Sequence, residues 1–317
     1  MRVVVTGGAG FVGSNLAKHF EKRGDEVLVV DTFRSGETFK NGNLKSFGHY
    51  KNLLGFSGQI YCGDICDSAT LWKIRHFKPD AIFHEAAVSD TTVAEQDALL
   101  RVNLNSFDAL CDIALESDAA LVYASSAATY GNAPSPQRVG CEAPANVYGF
   151  SKLMMDAHAR HKSAAHPNLR VVGLRYFNVY GAGEFFKNKT ASMVLQFGLQ
   201  ILGGEVPRLF EGSERICRDF VYIKDIVRAN EEALGWKNGV YNVATGKARS
   251  FFDIARILQE LLGLTPRYEF IPNPFVGQYQ FHTQAALNGF TPEWELESGI
   301  EDYLPEIKRI FDEEVKR

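Results

Sequence analysis

The chain has 317 residues, 45% of them hydrophobic and 23% charged, with a formal net charge of −4, the balance of a soluble globular protein with one large or two modest cores. The charge is weak and scattered, so neither nucleic acid nor a membrane surface is expected as the main partner, and no apolar run is long enough to span a bilayer. Five cysteines, Cys62, Cys66, Cys111, Cys141 and Cys217, are irregularly spaced, which predicts packed thiols in a reducing cytoplasm and neither disulfides nor a metal site.

Arg2 to Thr6 is a β-branched run. It reads as a buried strand and so not as a leader peptide. GGAGFVG follows at once. Gly8, Gly10 and Gly13 fit G-x-G-x-x-G, and Gly7, Gly10 and Gly13 fit the related G-x-x-G-x-x-G. A helix from about Val12 to Lys22 and a strand from Glu26 to Val30, ending in Asp31, complete a βαβ opening. One glycine permits the tight turn, the next lets backbone approach a pyrophosphate, and the third lets helix and strand pack closely. The helix N-terminus then faces the phosphates. Gly7, Gly10, Phe11, Val12 and Gly13 are placed at a dinucleotide on this basis. Asp31 suits a ribose hydroxyl and Arg34 a 2′-phosphate, so NAD and NADP both stay open.

Residues 33–58, rich in Gly, Asn, Ser and Lys, form a long excursion, in which Lys40, Lys45 and Lys51 read as solvated charges, with phosphate contacts as the alternative. Gln59 to Tyr61 and Ala81 to Phe83 are predicted as buried strands, each ending in polar residues. Ligands lie beyond the carboxyl ends of open parallel strands. Asp64 is therefore placed at an adenine amino group, and the turn carrying Glu85, Ala86 and Ala87 under the cofactor. His84 is assigned to packing. The spacing of Leu99, Leu100, Phe107, Leu110, Cys111 and Ala114 predicts one helix over Glu95–Glu116, with Asn103 inside it. Ala119 to Ala124 is a strand that delivers Ser125 and Ser126.

Tyr148 and Lys152, four apart, project from one face of a helix. An ammonium beside a phenol favours the phenolate, which predicts a tyrosine pKa lowered from about 10 toward neutral and a usable proton acceptor. Ser126 supplies a hydroxyl to the same substrate oxygen. The trio suits moving the proton of a carbinol while a cofactor takes its hydride. By itself, Tyr-x-x-x-Lys also describes a surface tyrosine over a lysine stem; the glycine fingerprint and Ser126 turn the reading toward chemistry. Arg170 to Leu174 is a further strand, leading into RYFNVYG at 175–181. Beyond it the alternation gives way to loops and shorter elements. Asp219–Leu234 reads as strand then helix, Tyr241–Val243 as strand, and Ser250–Leu262 as amphipathic helix. The expected fold is α/β, a Rossmann-type doubly wound parallel sheet. Its dinucleotide-binding domain covers 1–174, with a return around 216–245. A smaller substrate-binding domain covers mainly 175–317.

TGGAGFVG, YASSAATYG, NVYGFSK and RYFNVYG together resemble extended short-chain dehydrogenases/reductases of the nucleotide-sugar type. HEAAVSDTT at 84–92, TASM at 190–193, LFEGSE at 209–214, RDFVY at 218–222 and QYQFHTQA at 278–285 are similar to the ADP-L-glycero-D-manno-heptose 6-epimerases within that group. The resemblance runs from Val3 to about Tyr303. It implies redox-neutral inversion at C6 of an ADP-heptose through a 6-keto intermediate, with NADP, or alternatively NAD, tightly bound once per subunit. It also implies a cytoplasmic homo-oligomer serving lipopolysaccharide core assembly. By position, Tyr148 resembles the family's base, Ser126 its active-site serine, and Lys152 the lysine on the nicotinamide ribose. Lys187 resembles the second base, with Lys189 close beside it, and Val179 falls at the cofactor. Asn178, Lys189, Gln196, Phe210, Glu211, Gly212, Ser213, Arg218 and Tyr279 fall where the family holds its sugar nucleotide; Arg218 offers forked donors for a diphosphate.

Two departures stand out. Gly181-Ala182-Gly183-Glu184 replaces the commoner Gly-Pro-Arg-Glu, and the 33–58 excursion is longer than the common form. A 4,6-dehydratase would place acids after Ser126, where this chain has Ala127, Ala128 and Thr129. A UDP-hexose 4-epimerase shares the serine, tyrosine and lysine and is separated by Lys187 and by its nucleotide base. A non-catalytic dinucleotide sensor has no reason to hold the trio together.

Overall fold

The computed structural model describes residues 1–273 and 282–316. The chain divides into two compact units. One comprises Met1–Gly131, Glu142–Arg175 and Val227–Tyr241; the other comprises Asn132–Cys141, Tyr176–Ile226 and Asn242–Arg317.

The first unit opens with β1 (Arg2–Thr6), α1 (Phe11–Lys22) and β2 (Glu26–Asp31), then, after the long excursion, β3 (Gln59–Cys62), α2 (Ser68–Phe77) and β4 (Ala81–His84). Next come α3 (Gln96–Leu100), α4 (Ser106–Ser117), β5 (Ala120–Ser126), α5 (Val147–Ala165) and β6 (Arg170–Tyr176). Val3, Val4 and Val5 are fully buried, as are Val29, Val30, Ile82 and Phe83. Such β-branched and aromatic runs fit strands covered on both faces.

From β6 the chain enters β7 (Asn178–Tyr180), α6 (Met193–Leu202), β8 (Arg208–Phe210), β9 (Cys217–Tyr222) and α7 (Ile223–Ala233). It closes with β10 (Gly239–Val243), β11 (Ala248–Ser250), α8 (Phe251–Leu261), β12 (Glu269–Ile271) and α9 (Leu296–Ile310).

The main sheet has seven strands in the order β10-β6-β5-β4-β1-β2-β3. The registers from β3 to β5 are parallel, with Thr6 opposite both Val30 and His84. Strand β1 thus lies between β2 and β4. The order reverses there, and in a doubly wound sheet that reversal opens a ligand crevice beyond the strands' carboxyl ends. Two small sheets, β11-β9-β7 and β12-β8, complete the pairing.

Four expectations need correction. Strand β3 is the sheet's edge, and Gln59, Ile60 and Cys62 are exposed instead of buried. The single helix expected over Glu95–Glu116 is broken by a π-turn at Arg101–Asn105, which widens the helix at Asn103. Met193–Leu202, expected among loops, is a helix capped by the Ser192 hydroxyl on the Leu195 N–H. All five thiols are free, but only Cys111 is buried; Cys62 on the edge strand and Cys141 on a loop are exposed. No helix among the described residues is long and apolar enough to cross a membrane, and no described group of three or more His, Cys, Asp or Glu is placed to hold a metal ion.

Candidate active site

The turn from β1 into α1 is built for close approach. Gly7 has φ +68°, and a Cβ there would meet the Ala86 backbone N at 2.7 Å; one at Gly13 would meet the Gly7 carbonyl O at 2.2 Å. Only glycine lets the ends of β1 and β4 and the start of α1 come this near. Gly10 caps α1 without a side chain, so the first-turn N–H groups face outward as a phosphate site does. Asp31, 7% exposed, accepts the Ala9 N–H at 2.9 Å and the Phe33 N–H at 2.8 Å. Burial pushes its carboxyl pKa up, against those two bonds. Arg34 is half-buried just beyond. This cradle, too tight for any Cβ and ending in a carboxylate, fits a dinucleotide.

The neighbouring strand ends carry the rest. Asp64 accepts the Cys66 N–H at 2.8 Å and stays partly exposed. His84 is fully buried, shares a 2.8 Å hydrogen bond with Thr6, and is driven down to about 3, chiefly by burial. It is therefore a neutral packing residue. Asn103 is fully buried. Its amide accepts the Val88 N–H at 2.8 Å and donates to the Val88 carbonyl at 3.1 Å and the Ser151 hydroxyl at 3.0 Å. It steadies the turn bearing Ala86 and Ala87 from behind.

Strand β5 ends at Ser126, whose Oγ accepts the Ala128 N–H at 3.1 Å. Helix α5 starts behind Asn146, whose side chain accepts the Gly149 N–H at 2.8 Å. Tyr148 therefore lies in the first turn and Lys152 one turn on. Tyr148 is half-buried and hydrogen-bonded to the Ser126 side chain. Lys152, 1% exposed, donates to the Ala124 carbonyl at 2.7 Å. The three expected residues thus meet at the end of β5.

What holds α5 there is Gly149, where a Cβ would lie 2.3 Å from the Ala128 carbonyl O. An alanine in a helix ordinarily stabilises by up to about 1 kcal/mol over glycine. Here the sign reverses: Gly149→Ala is expected to destabilise by roughly 1–3 kcal/mol through overpacking, read as a lower denaturation midpoint with unchanged m-value.

The expected depression of the Tyr148 pKa is not found in the protein alone. Burial pushes the phenol up and Glu85's charge adds to the rise; the Ser126 hydrogen bond opposes both. Lys152 spends its ammonium on the Ala124 carbonyl, and burial drives it down to about 8 against the pull of Glu85 and Asp156. Spacing alone did not reveal that desolvation sets the direction. It also missed the support beneath. Asp156, one turn past Lys152, accepts from Tyr123 at 2.9 Å, Ser125 at 3.0 Å and Arg175 at 2.8 Å. The i, i+4 step from Lys152 to Asp156 was its sequence signal.

The second unit carries the remaining candidates. Glu184 is fully buried and accepts the Gly181 N–H at 3.1 Å, the Ser192 N–H at 2.6 Å and the Ser192 hydroxyl at 2.8 Å. Lys187 is half-buried; burial lowers its pKa while Glu184's charge resists. Asn188 has φ +52° and ψ −126°, a costly conformation for a residue with a Cβ. It reverses the backbone between Lys187 and Lys189, and Lys189 is exposed. Gly183 has φ +96°, a left-handed conformation that the arginine usual at this position would resist.

Asn178 is exposed at the start of β7, where Val179 pairs with Val221. Gln196 donates to the Ala191 carbonyl at 2.7 Å. Phe210 ends β8, followed by exposed Glu211 and by Gly212 in a left-handed turn. Ser213 is 2% exposed, and its hydroxyl has no hydrogen-bond partner among the described residues. Arg218 donates to the Cys217 carbonyl at 2.8 Å beside the Phe251 ring. Tyr279 lies outside the described residues.

A glycine cradle at the switch point of a doubly wound sheet, with serine, tyrosine and lysine at a neighbouring strand end, defines the class of nicotinamide-dependent short-chain dehydrogenases/reductases. Residues 3–244 match the NAD dependent epimerase/dehydratase family, and the chain belongs to it. Among relatives, the ADP-L-glycero-D-manno-heptose-6-epimerase of Brachyspira hyodysenteriae is 35% identical over 97% of this chain and 98% of its own length. Among solved structures, the Helicobacter pylori enzyme of the same name is 45% identical with a TM-score of 0.87, over 97% of this chain and 96% of that one. The UDP-glucose 4-epimerase of Thermotoga maritima, solved with UDP-glucose, is 25% identical with a TM-score of 0.83, over 98% and 99%. That of Thermus thermophilus, solved with NAD, is 27% identical with a TM-score of 0.77, over 97% and 99%.

Proposed function

We infer that the chain inverts C6 of ADP-D-glycero-D-manno-heptose, giving the L-glycero epimer through a transient 6-keto sugar. The observation that carries this reading is the full-length likeness to two 6-epimerases of that sugar nucleotide, at 35% and 45% identity. The nicotinamide dinucleotide, when bound, supplies a reversible hydride acceptor. The chain supplies binding and proton transfer. Gly7, Gly10, Phe11, Val12 and Gly13 cradle the phosphates, and Asp31 takes the ribose. Asp64, Glu85, Ala86, Ala87, Asn103 and Val179 complete that site, directly or from behind.

Tyr148 takes the O6 proton as the C6–H bond breaks, while Ser126 holds the same oxygen. Lys152 holds the nicotinamide ribose and brings positive charge near the phenol. At the opposite face of the 6-keto sugar, Lys187 would be the second acid and supply the proton to O6, with the bound nicotinamide as the hydride donor. Burial, by lowering the Lys187 pKa, makes the ammonium the readier donor, and the lysine regains its proton before the next turnover. The buried Ser213 hydroxyl, with Phe210 and Arg218, is suited to the sugar nucleotide. Asn178, Lys189, Gln196, Glu211, Gly212 and Tyr279 belong to the same proposed surface.

Because the hydride taken is returned, the cofactor stays bound. NADP is the proposed form, with Arg34 as the group for its 2′-phosphate. A cytoplasmic homo-oligomer is part of the same proposal.

The test is NMR of ADP-D-glycero-β-D-manno-heptose and of UDP-glucose, each incubated with purified protein and no added cofactor. The C6 epimer of the heptose is expected, with UDP-glucose unchanged. The reverse pattern would move the chain to the UDP-hexose 4-epimerases.

A further inference from the structure

The long excursion after β2 is not a free loop. Its residues 37–45 form a β-hairpin. Thr38 bridges Leu44 antiparallel, the Phe39 N–H donates to the Asn43 carbonyl at 2.8 Å, and the Lys45 N–H donates to the Glu37 carbonyl at 2.9 Å. The tip is latched onto the segment that leaves β4. Asp90, 5% exposed, collects the side chains of Asn43 at 2.7 Å and Asn41 at 3.2 Å on one oxygen, and the Thr92 N–H at 2.8 Å and hydroxyl at 2.7 Å on the other. A carboxylate holding four donors makes strong, charge-assisted bonds. The Lys40 N–H adds a bond to Glu95 at 2.8 Å. The latch inserts one side chain. Phe39, 8% exposed and the one buried side chain of the hairpin, completes a buried cluster with Val88, Val93 and Leu99, and Val147 and Tyr148 pack against that cluster. Val88 in turn is the residue that Asn103 clamps. The far end of the excursion docks on the cradle: the His49 N–H donates to the Ala9 carbonyl at 3.0 Å, and the Asn52 side chain to the same carbonyl at 3.1 Å.

We propose that Phe39, latched by Asp90, is a positioning residue that forms the apolar wall behind Tyr148 and holds the phenol in register with Ser126. This rests on Tyr148 being the proton acceptor. The geometry supports it directly. Tyr148 is in the first turn of α5, where backbone hydrogen bonding is least complete, so side-chain packing sets its orientation. The ring is half-buried and packs against the cluster that Phe39 completes. Loss of the Phe39 ring leaves a void that Tyr148 can swing into.

The experiment compares Phe39→Ala, Phe39→Leu, Asp90→Asn, Tyr148→Phe and the double variant Phe39→Ala/Tyr148→Phe. Readouts are kcat and KM for the epimerisation, and nicotinamide released by acid per chain. A misplacement of about an ångström can cost up to about 100-fold. Phe39→Ala is expected to lower kcat by about 10-fold with KM within about 2-fold and released nicotinamide unchanged. Phe39→Leu restores most of the rate, and Asp90→Asn gives a smaller loss in the same direction. In the Tyr148→Phe background Phe39→Ala has no further effect, the non-additivity of residues acting through one group. Wild-type kcat in folded Phe39→Ala, unchanged kcat in Asp90→Asn, or an additive loss in the double variant would overturn the inference. Full activity of Tyr148→Phe would remove the base assignment and the inference together; a dead Tyr148→Phe beside an unimpaired Phe39→Ala removes the inference alone.

Discussion

Tyr148→Phe lowers the epimerisation kcat by about 10²–10⁴-fold, the contribution of a positioned acid or base, while the protein stays folded and keeps its nicotinamide. The substitution deletes one oxygen. The ring still packs against the Val88, Val93 and Leu99 cluster, Lys152 keeps its bond to the Ala124 carbonyl, and Ser126 still caps the turn after β5. What disappears is the group proposed to accept the O6 proton. Lys152 donates to the Ala124 carbonyl, and a serine hydroxyl is a far weaker base than a phenolate, so neither replaces that function. Steady-state kinetics by NMR or coupled assay, with thermal unfolding as a control, checks this. A folded variant within about 3-fold of wild type would end the assignment.

Lys187→Met is the second large effect, again about 10²–10⁴-fold in epimerisation, but with a different signature. If Lys187 is the second proton carrier, as proposed, its removal blocks inversion without blocking oxidation. The variant with substrate should therefore show the absorbance of reduced nicotinamide while no epimer forms. Lys189→Met is the matched control. The kink at Asn188 leaves Lys189 exposed and Lys187 half-buried beside Glu184, so Lys189→Met should raise KM for the sugar nucleotide while kcat stays within about 2-fold of wild type and no reduced nicotinamide accumulates. A dead Lys189→Met with an active Lys187→Met would exchange the two roles.

Much of the site could be read before the fold was known, because strand-end residues come with strong local signals. Gly7 and Gly13 stand where the backbone leaves no room for a Cβ and Gly10 where it leaves little, and Asp31 follows from the length of one helix and one strand. Ser126, Tyr148 and Lys152 needed only a strand end and a helical turn. Other features depend on what packs around them. Met193–Leu202 has apolar residues on nearly every face, so it gives no periodic signal of helix. Gln59–Cys62 has a strand's composition, but sheet order, not composition, made it an edge. The π-turn at Asn103 leaves the helical spacing on both sides almost intact. The direction of the Tyr148 pKa shift is set by burial, and the role of Phe39 by a latch that joins residues some 50 positions apart in a stretch that looks like solvated loop. Each of these is a tertiary effect overriding a local preference.

The central claim is that C6 is inverted by taking a hydride and returning it within one site. It is tested most directly by running the reaction on ADP-D-glycero-β-D-manno-heptose in D₂O and reading C6 of the product by NMR. A hydride carried on the nicotinamide does not exchange with solvent, so the epimer should keep protium at C6. Deuterium at C6 would mean that the carbon lost a proton to an exchangeable group, and it would contradict the roles given to Tyr148, Lys187 and the dinucleotide cradle alike.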